Sequence, residues 1–536
     1  MAEYNAWEEL GATGWNWNSM NKYMNKAEAF TTPSAIHQKL LHIDVHPSDY
    51  GHSGAVKTSF PRYVSKQVQN WVPALQTLSV PKNDQPLAGD NTGASVQPSN
   101  INPYNSTRSY SASAYFWPNS VRPNLALLPN ARVDRINFAS SALRRAFGVR
   151  QKACSVSFTA GGKSYTVKVN KEAIISGGSV NSPQILELSG IGSSKVLNKA
   201  GVKTIIDNGN VGENLQDHTY SYAAYELAPG NPTLDSLRRN MSFITEQKQL
   251  YADNKTSILD ETVPSIAYVS VKHILGSSNA SKLIGQASSY VSSVKLSHKA
   301  TLQKQFEFLE KYHDQISQME LIGIDGFFAD SGFVPENNKT YITFLSASQH
   351  LLARGYVHIM SDCSADAPAI QPNYYNNEFD TGLAVAGLRY LRKIAGTSEY
   401  SRYITKEVVP GGNFTSDTDL ISFLKSTGTM TEYHPVGSAS MLPKDKGGVV
   451  DANLVVYGTS NVRVIDASVI PLHISAHIQR TIYGVAERGA ALILGTAEGA
   501  PRLYSVRVFL LLVLKKMCAL GAANQSAGAA ATSLNP

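Results

Sequence analysis

The chain has 536 residues, 43% hydrophobic and 17% charged, which suits a globular protein with mass enough for two or more domains. The formal charge of +7 comes from scattered basic residues, so there is no clustered footprint for nucleic acid. Three cysteines, Cys154, Cys363 and Cys518, have no CxxC spacing and exclude a disulfide scaffold.

The chain opens on Tyr4-Asn-Ala-Trp-Glu-Glu-Leu-Gly-Ala-Thr-Gly-Trp-Asn-Trp, an aromatic-rich stretch expected to pack its tryptophans as a helical hairpin. A short helix over 20–30 follows, closed by Thr31-Thr32-Pro33. Polar residues begin at Met1, so no signal peptide is read there. The sequons at Asn105, Asn240, Asn254, Asn279, Asn338 and Asn413 are about as many as chance gives. Residues 31–100 carry His37, His42, His46 and His52, but neither a cysteine nor a tight carboxylate cluster joins them. A long loop is expected there, and no metal site.

Lys171-Glu-Ala-Ile-Ile-Ser176 reads as a buried strand, and Gly177-Gly178 allow a sharp turn. Asn181 or Ser182 suits a helix N-cap, with Pro183 at the first helical position. Ile185, Leu186 and Leu188 supply the buried face before Ser189-Gly190 ends the helix. Such a strand, glycine turn and helix leave backbone N–H groups bare for an anionic or electron-rich ligand. An ordinary βα turn fits these residues equally well.

Further on, 201–206 is a strand candidate and Val211-Gly-Glu-Asn-Leu-Gln-Asp-His218 a capped turn. Between 226 and 350 the chain is Ser-rich near 276–300, and an amphipathic helix is expected over about 301–320. Arg354-Gly-Tyr-Val-His-Ile-Met-Ser361 alternates as a strand, and a helix is expected over about 380–395. His434 lies in Tyr433-His-Pro-Val-Gly-Ser-Ala-Ser-Met441 and His477 in Pro471-Leu-His-Ile-Ser-Ala-His-Ile-Gln479, with the strand 461–466 between them. Each histidine alone reads most simply as a structural residue. From Ile478 an apolar stripe (Ile478, Ile482, Val485, Gly489, Leu492) marks a helix. The apolar run 508–514 is far shorter than the roughly twenty residues of a membrane helix, so no integral membrane segment is expected, and the Ala/Ser/Gly tail after it reads as disordered.

The string Gly178-Ser-Val-Asn-Ser-Pro-Gln-Ile-Leu-Glu-Leu-Ser-Gly-Ile-Gly192 resembles the second signature of the glucose-methanol-choline (GMC) family of FAD-dependent oxidoreductases, in a fungal-like form. Similar segments run over 4–30, 101–220 and 354–494. The resemblance implies an α/β fold, with a Rossmann-like FAD-binding domain and a substrate domain built on an antiparallel sheet flanked by helices. It divides the chain into a helical and loop segment at 1–100, FAD-binding portions at 101–225 and 446–500, a substrate domain at 226–445 and an atypical tail at 501–536. It implies oxidation of CH–OH groups in a small alcohol or sugar, with oxygen or a quinone-like compound as electron acceptor. His434 is then the base and His477 its partner on the same substrate oxygen. Val133, Asp466, Ala467 and Ile478 are expected at the cofactor, Val133 through its backbone beside the adenine. His473 falls outside the motif and is expected to be a loop residue. No GxGxxG followed by a helix and an acidic residue occurs, so the family's N-terminal dinucleotide-binding unit is expected to be missing. A non-redox lyase or cyclase on the same fold, and a truncated non-catalytic remnant, stand as alternatives.

Overall fold

The structure is a computed structural model and describes residues 1–139, 149–294, 297–312 and 316–497. The expectations for the tail at 501–536, including Cys518, lie outside the described residues. Helices α1 (Ala2–Glu9) and α2 (Trp17–Ala27) form the N-terminal hairpin. Strand β1 (Glu28–Phe30), helix α3 (Ala35–Leu41), strand β2 (Val56–Thr58), helix α4 (Lys66–Thr77) and strand β3 (Gly93–Val96) then cross 28–96. The expected long loop is therefore corrected. Ser34 and Ser65 each accept a backbone N–H of the following helix, and Trp71, Val72 and Leu75 give α4 a buried face.

Strands β4 (Ala131–Phe138), β5 (Ala153–Ala160) and β6 (Lys163–Lys168) form an antiparallel meander. Strand β7 (Ala173–Ile175) leads into helix α5 (Gly178–Leu188). This helix starts earlier than its sequence pattern predicts: Gly177 is its N-cap and Pro183 lies inside it. A proline there withholds the N–H that Ser179 C=O would accept. The Ser438 hydroxyl donates to that carbonyl at 2.6 Å instead, which lets the helix run through the proline.

After the short parallel pair β8 (Ile191–Gly192) and β9 (Ile206–Asp207), the chain enters the large sheet. The strand expected over 201–206 is thus confined to its last residue and Asp207. The sheet comprises β10 (Thr219–Leu227), β11 (Ser265–Val269), β12 (Met319–Ile324), β13 (Tyr341–Ser348), β16 (Ile404–Val409) and β17 (Thr429–Thr431). Between β13 and β16 lies a separate hairpin of β14 (Tyr356–His358) and β15 (Ala369–Gln371). The sheet order is β11-β12-β13-β10-β16, with β17 on the other part of β10, all antiparallel. Every residue of β10, β12 and β13 is buried, because helices cover the sheet.

One of the covering helices has no counterpart in the sequence reading, and another differs from expectation. The Ser-rich stretch forms α6 (Ser277–Ser293), held by Ala280, Leu283, Ala287 and Val291 at helical spacing. The helix expected over about 301–320 is α7 (Lys299–Lys311), and 319–324 is strand β12. The helical apolar stripe stops at Phe308-Leu309, whereas Met319-Glu-Leu-Ile-Gly-Ile324 is apolar on both faces and pairs with β11 and β13. Helix α8 (Glu378–Ala395) packs on β13 and β10. Strand β18 (Val462–Val464) lies parallel to β7, and the last helix is α9 (Gln479–Leu494).

The N-terminal aromatics anchor the C-terminal region. Trp7 and Trp15 are fully buried, and their indole N–H groups donate to Leu472 C=O at 2.8 Å and Ala452 C=O at 2.9 Å. Tyr4 and Thr481 share a hydrogen bond of 2.6 Å, so α1 grips the first turn of α9.

A second tie binds α5 to β14. His358 contacts Glu187 at 2.7 Å through Nδ1 and Glu213 at 3.1 Å through Nε2. Burial opposes its protonation, yet the two carboxylates overcome this and push the imidazole up to about 9. An unfolded histidine titrates near 6.5. While the two carboxylates stay ionised, the histidine's contribution is therefore complete at about pH 6.5 and drains as pH rises through about 9. Urea unfolding is expected to show lower stability at pH 9.5 than at pH 6, and His358→Gln to remove that part of the difference.

Candidate active site

The sheet and two loops deliver seven groups to one place. Residue Glu320 on β12 lies directly across from Tyr268 on β11, so both side chains share a face. The pairing of Thr219 with Thr431 continues one residue outward and sets His218 against Glu432, whose N–H donates to His218 C=O at 2.9 Å. His434 follows two residues on. The loop 471–478 supplies His473 and His477; it is held by Trp7 and by Glu3, which accepts the Ser475 N–H at 2.8 Å.

The motif at 211–218 accounts for much of this placement. At Gly212, with φ of +82°, an added Cβ would meet Val357 C=O at 2.1 Å, so only glycine lets the chain pass. Asn214 and Gln216 both donate to Pro471 C=O, at 3.0 and 3.1 Å. Asp217 accepts the His434 N–H at 3.0 Å and the Tyr374 hydroxyl at 2.6 Å. What reads in sequence as a turn is thus the frame that fixes both histidine loops.

The imidazoles of His434 and His477 have centroids 5.1 Å apart. His477 Nε2 lies 2.8 Å from Glu320 Oε1 and 3.5 Å from Glu432 Oε1. Glu320 also accepts from Tyr268 OH and Gln349 Nε2, each at 3.0 Å. Removal from water opposes a charge on His477, but Glu320 and Glu432 outweigh it and raise the imidazole to about 9, although 44% of its side chain is exposed. His477 is therefore a cation at neutral pH.

On the other side, His434 Nδ1 lies 3.1 Å from His218 Nδ1 and 3.6 Å from Glu432 Oε2. Burial lowers His218 to about 4, which keeps it neutral. His473, expected to be a loop residue, does lie in a loop; it is buried, stacks on His218 at 3.6 Å and meets His434 C=O through Nε2 at 2.9 Å. The sets His218, Glu432, His434 and Glu320, Glu432, His477 each bring their donor atoms within 4.8 Å of one another, a spacing that also suits a divalent ion.

Beside His477 opens a cleft of about 240 Å³, walled by Asn91, Tyr268, Gln479, Arg480 and Tyr483. No side chain caps the first turn of α9, so its backbone N–H groups and positive dipole end remain available there.

Comparison with known proteins decides the family. Models of the GMC oxidoreductase N- and C-terminal regions match residues 1–220 and 352–486. A GMC oxidoreductase family protein of Malassezia sympodialis, Mala s 12, is 34% identical over 509 residues, spanning 92% of this chain and 76% of its own. The chain belongs to the GMC oxidoreductases.

Among the relatives of this GMC oxidoreductase, a glucose oxidase of Penicillium chrysogenum is 28% identical over 92% of this chain and 76% of its own. An FAD-dependent oxidoreductase from Chaetomium thermophilum superposes with a TM-score of 0.82 at 28% identity, covering 92% of this chain and 83% of that one. A fungal aryl-alcohol oxidase, at 23% identity and a TM-score of 0.75, shares the fold. The family's cofactor is FAD, and the mixed α/β architecture is that of the family.

The residues present fit the ring end of FAD. The uncapped start of α9 offers N–H groups to an electron-rich ring, and the cleft beside it is open to solvent. Ile478, at 7% exposure, is the N-cap of α9, and Ala467 is half-buried just beyond β18. Val133 is half-buried on β4, opposite Phe158. The Asp466 carboxylate is taken up within the fold: it accepts from Gly178 N–H and Ser468 N–H at 2.9 Å and from the hydroxyls of Ser182 and Ser468 at 2.5 Å. Only its backbone is left to face a ligand. Sequence reasoning missed Glu320, Glu432, His218 and His473.

Proposed function

We propose that this GMC oxidoreductase oxidises a CH–OH group of a small alcohol or sugar, with His434 taking the hydroxyl proton and His477 holding the same oxygen. When bound, FAD supplies the two-electron acceptor for the hydride that leaves the carbinol carbon. Its ring would lie against the start of α9, near Ile478, with the backbone at Asp466 and Ala467 and, at the adenine end, Val133 as further contacts.

The observation that carries this reading is the pairing of two unlike imidazoles 5.1 Å apart. His477 spends Nε2 on Glu320 and, as a cation, has Nδ1–H left to donate to the substrate oxygen, favouring the alkoxide as it forms. Among the described residues no group hydrogen-bonds His434 Nε2, which leaves it available to accept the proton. The Glu320 carboxylate, with three donors around it, holds His477 in both place and charge.

Anaerobic mixing of the flavin-loaded protein with a panel of primary alcohols and aldoses tests the reading. Bleaching of the flavin together with stoichiometric carbonyl product is expected for at least one of them. Product formation without bleaching would show a non-redox reaction on the same fold.

A further inference from the structure

We propose that His218, His434 and Glu432 form a binding site for a zinc-class divalent cation, and that a cation held there withdraws His434 from proton transfer. The second half rests on the alcohol-oxidation reading above; the first half does not.

The donor atoms His218 Nδ1, His434 Nδ1 and Glu432 Oε2 make a nearly equilateral triangle with sides of 3.1, 3.5 and 3.6 Å. A point equidistant from all three lies about 2.0 Å from each, which is the length of a Zn–N or Zn–O bond. An ion slightly out of that plane meets the donors at roughly tetrahedral angles and keeps a fourth position for water. Two imidazoles and one carboxylate suit zinc and its first-row neighbours, whereas magnesium and calcium prefer oxygen donors alone.

The carboxylate supplies an independent sign. Glu432 is 8% exposed at its side chain, yet among the described residues neither of its oxygens accepts a hydrogen bond of ordinary geometry. A buried carboxylate without donors is costly, and a cation beside it offsets that cost. The neighbouring set of Glu320, Glu432 and His477 suits an ion less well. His477 Nε2 and Glu320 Oε1 are in direct contact at 2.8 Å, and Tyr268 and Gln349 already donate to the two Glu320 oxygens.

The fold holds the three donors in place by itself. The Glu432 N–H donates to His218 C=O, the His434 N–H donates to Asp217, and His473 stacks on the His218 ring at 3.6 Å while meeting His434 C=O. The His434 side chain, 13% exposed, leaves a route in from solvent.

A neutral imidazole has one lone-pair nitrogen and one N–H. With the Nδ1 lone pair given to a cation, the His434 ring keeps its proton on Nε2, the atom that accepts the hydroxyl proton in the reading above. Nε2 then donates instead of accepting. The alcohol keeps both its hydroxyl proton and its hydride, and oxidation stops until the cation leaves.

The test is equilibrium dialysis of the flavin-loaded full chain against zinc chloride, followed by zinc X-ray absorption. One zinc per chain is expected at about micromolar free zinc, with Zn–N and Zn–O bonds near about 2.0 Å and the outer-shell scattering of two imidazoles. Magnesium chloride is expected to give no binding. His434→Ala and Glu432→Gln are each expected to weaken zinc binding by about 100-fold or more, and His477→Gln to leave it nearly unchanged. Absence of bound zinc in wild type, or binding that His434→Ala leaves intact, overturns the site; loss in His477→Gln alone puts the ion at Glu320 and overturns it too. In anaerobic mixing with an alcohol substrate, saturating zinc is expected to slow flavin bleaching roughly 10²- to 10⁴-fold, and a chelator to restore it. Full zinc occupancy with unchanged bleaching overturns the withdrawal of His434. If the metal-free protein bleaches with no alcohol, the oxidation reading fails and takes the withdrawal with it, while dialysis and X-ray absorption still judge the site independently.

Discussion

Replacing His434 by alanine is expected to slow flavin bleaching by an alcohol substrate roughly 10²- to 10⁴-fold, the usual worth of a positioned general base. The protein should nevertheless fold. The hydrogen bonds that fix the loop use the backbone of His434, whose N–H goes to Asp217 and whose C=O meets His473, and alanine keeps both. The imidazole contributes mainly its Nδ1 contact with His218 and Glu432. Anaerobic stopped-flow measurement, with FAD occupancy matched by absorbance, separates loss of the base from loss of cofactor. A rate within threefold of wild type at full occupancy would remove His434 from the proton transfer.

The second large effect concerns Asp466, which the sequence places at the cofactor and the structure places between β18 and the turn into α5. Asp466→Ala would strand four donors: the N–H groups of Gly178 and Ser468 and the hydroxyls of Ser182 and Ser468. Hydrogen bonds to a buried charge contribute about 1.5–3 kcal/mol each, and the stranded groups find partial substitutes, so a net loss of roughly 3–5 kcal/mol is expected in urea unfolding. Asp466→Asn keeps one acceptor and should lose less. A change below about 1 kcal/mol for the alanine variant would mean that the carboxylate serves the ligand rather than the fold.

Local pattern reveals some of this site and hides the rest. His434 and His477 stand in short strings of distinctive composition, and the helix after Ile478 shows its apolar stripe plainly. Glu320 was obscured because the helical pattern of α7 runs toward it, and only pairing with β11 and β13 makes 319–324 a strand. A glutamate inside the apolar run Met319-Glu-Leu-Ile-Gly-Ile324 was the available signal, since an acid is rarely buried without a partner. Glu432 and His218 are 214 residues apart and meet only through the register of β10 with β17, which no local spacing encodes. The early start of α5 was equally hidden, because the hydroxyl that replaces the missing proline hydrogen bond comes from Ser438.

A structure of the flavin-loaded protein with a slowly reacting alcohol bound in the cleft beside His477 tests the central claim most directly. The hydroxyl oxygen is expected within hydrogen-bond reach, about 2.6–3.2 Å, of both His434 Nε2 and His477 Nδ1. A hydroxyl held by other groups, with the two imidazoles bound only to each other's neighbours, would contradict it.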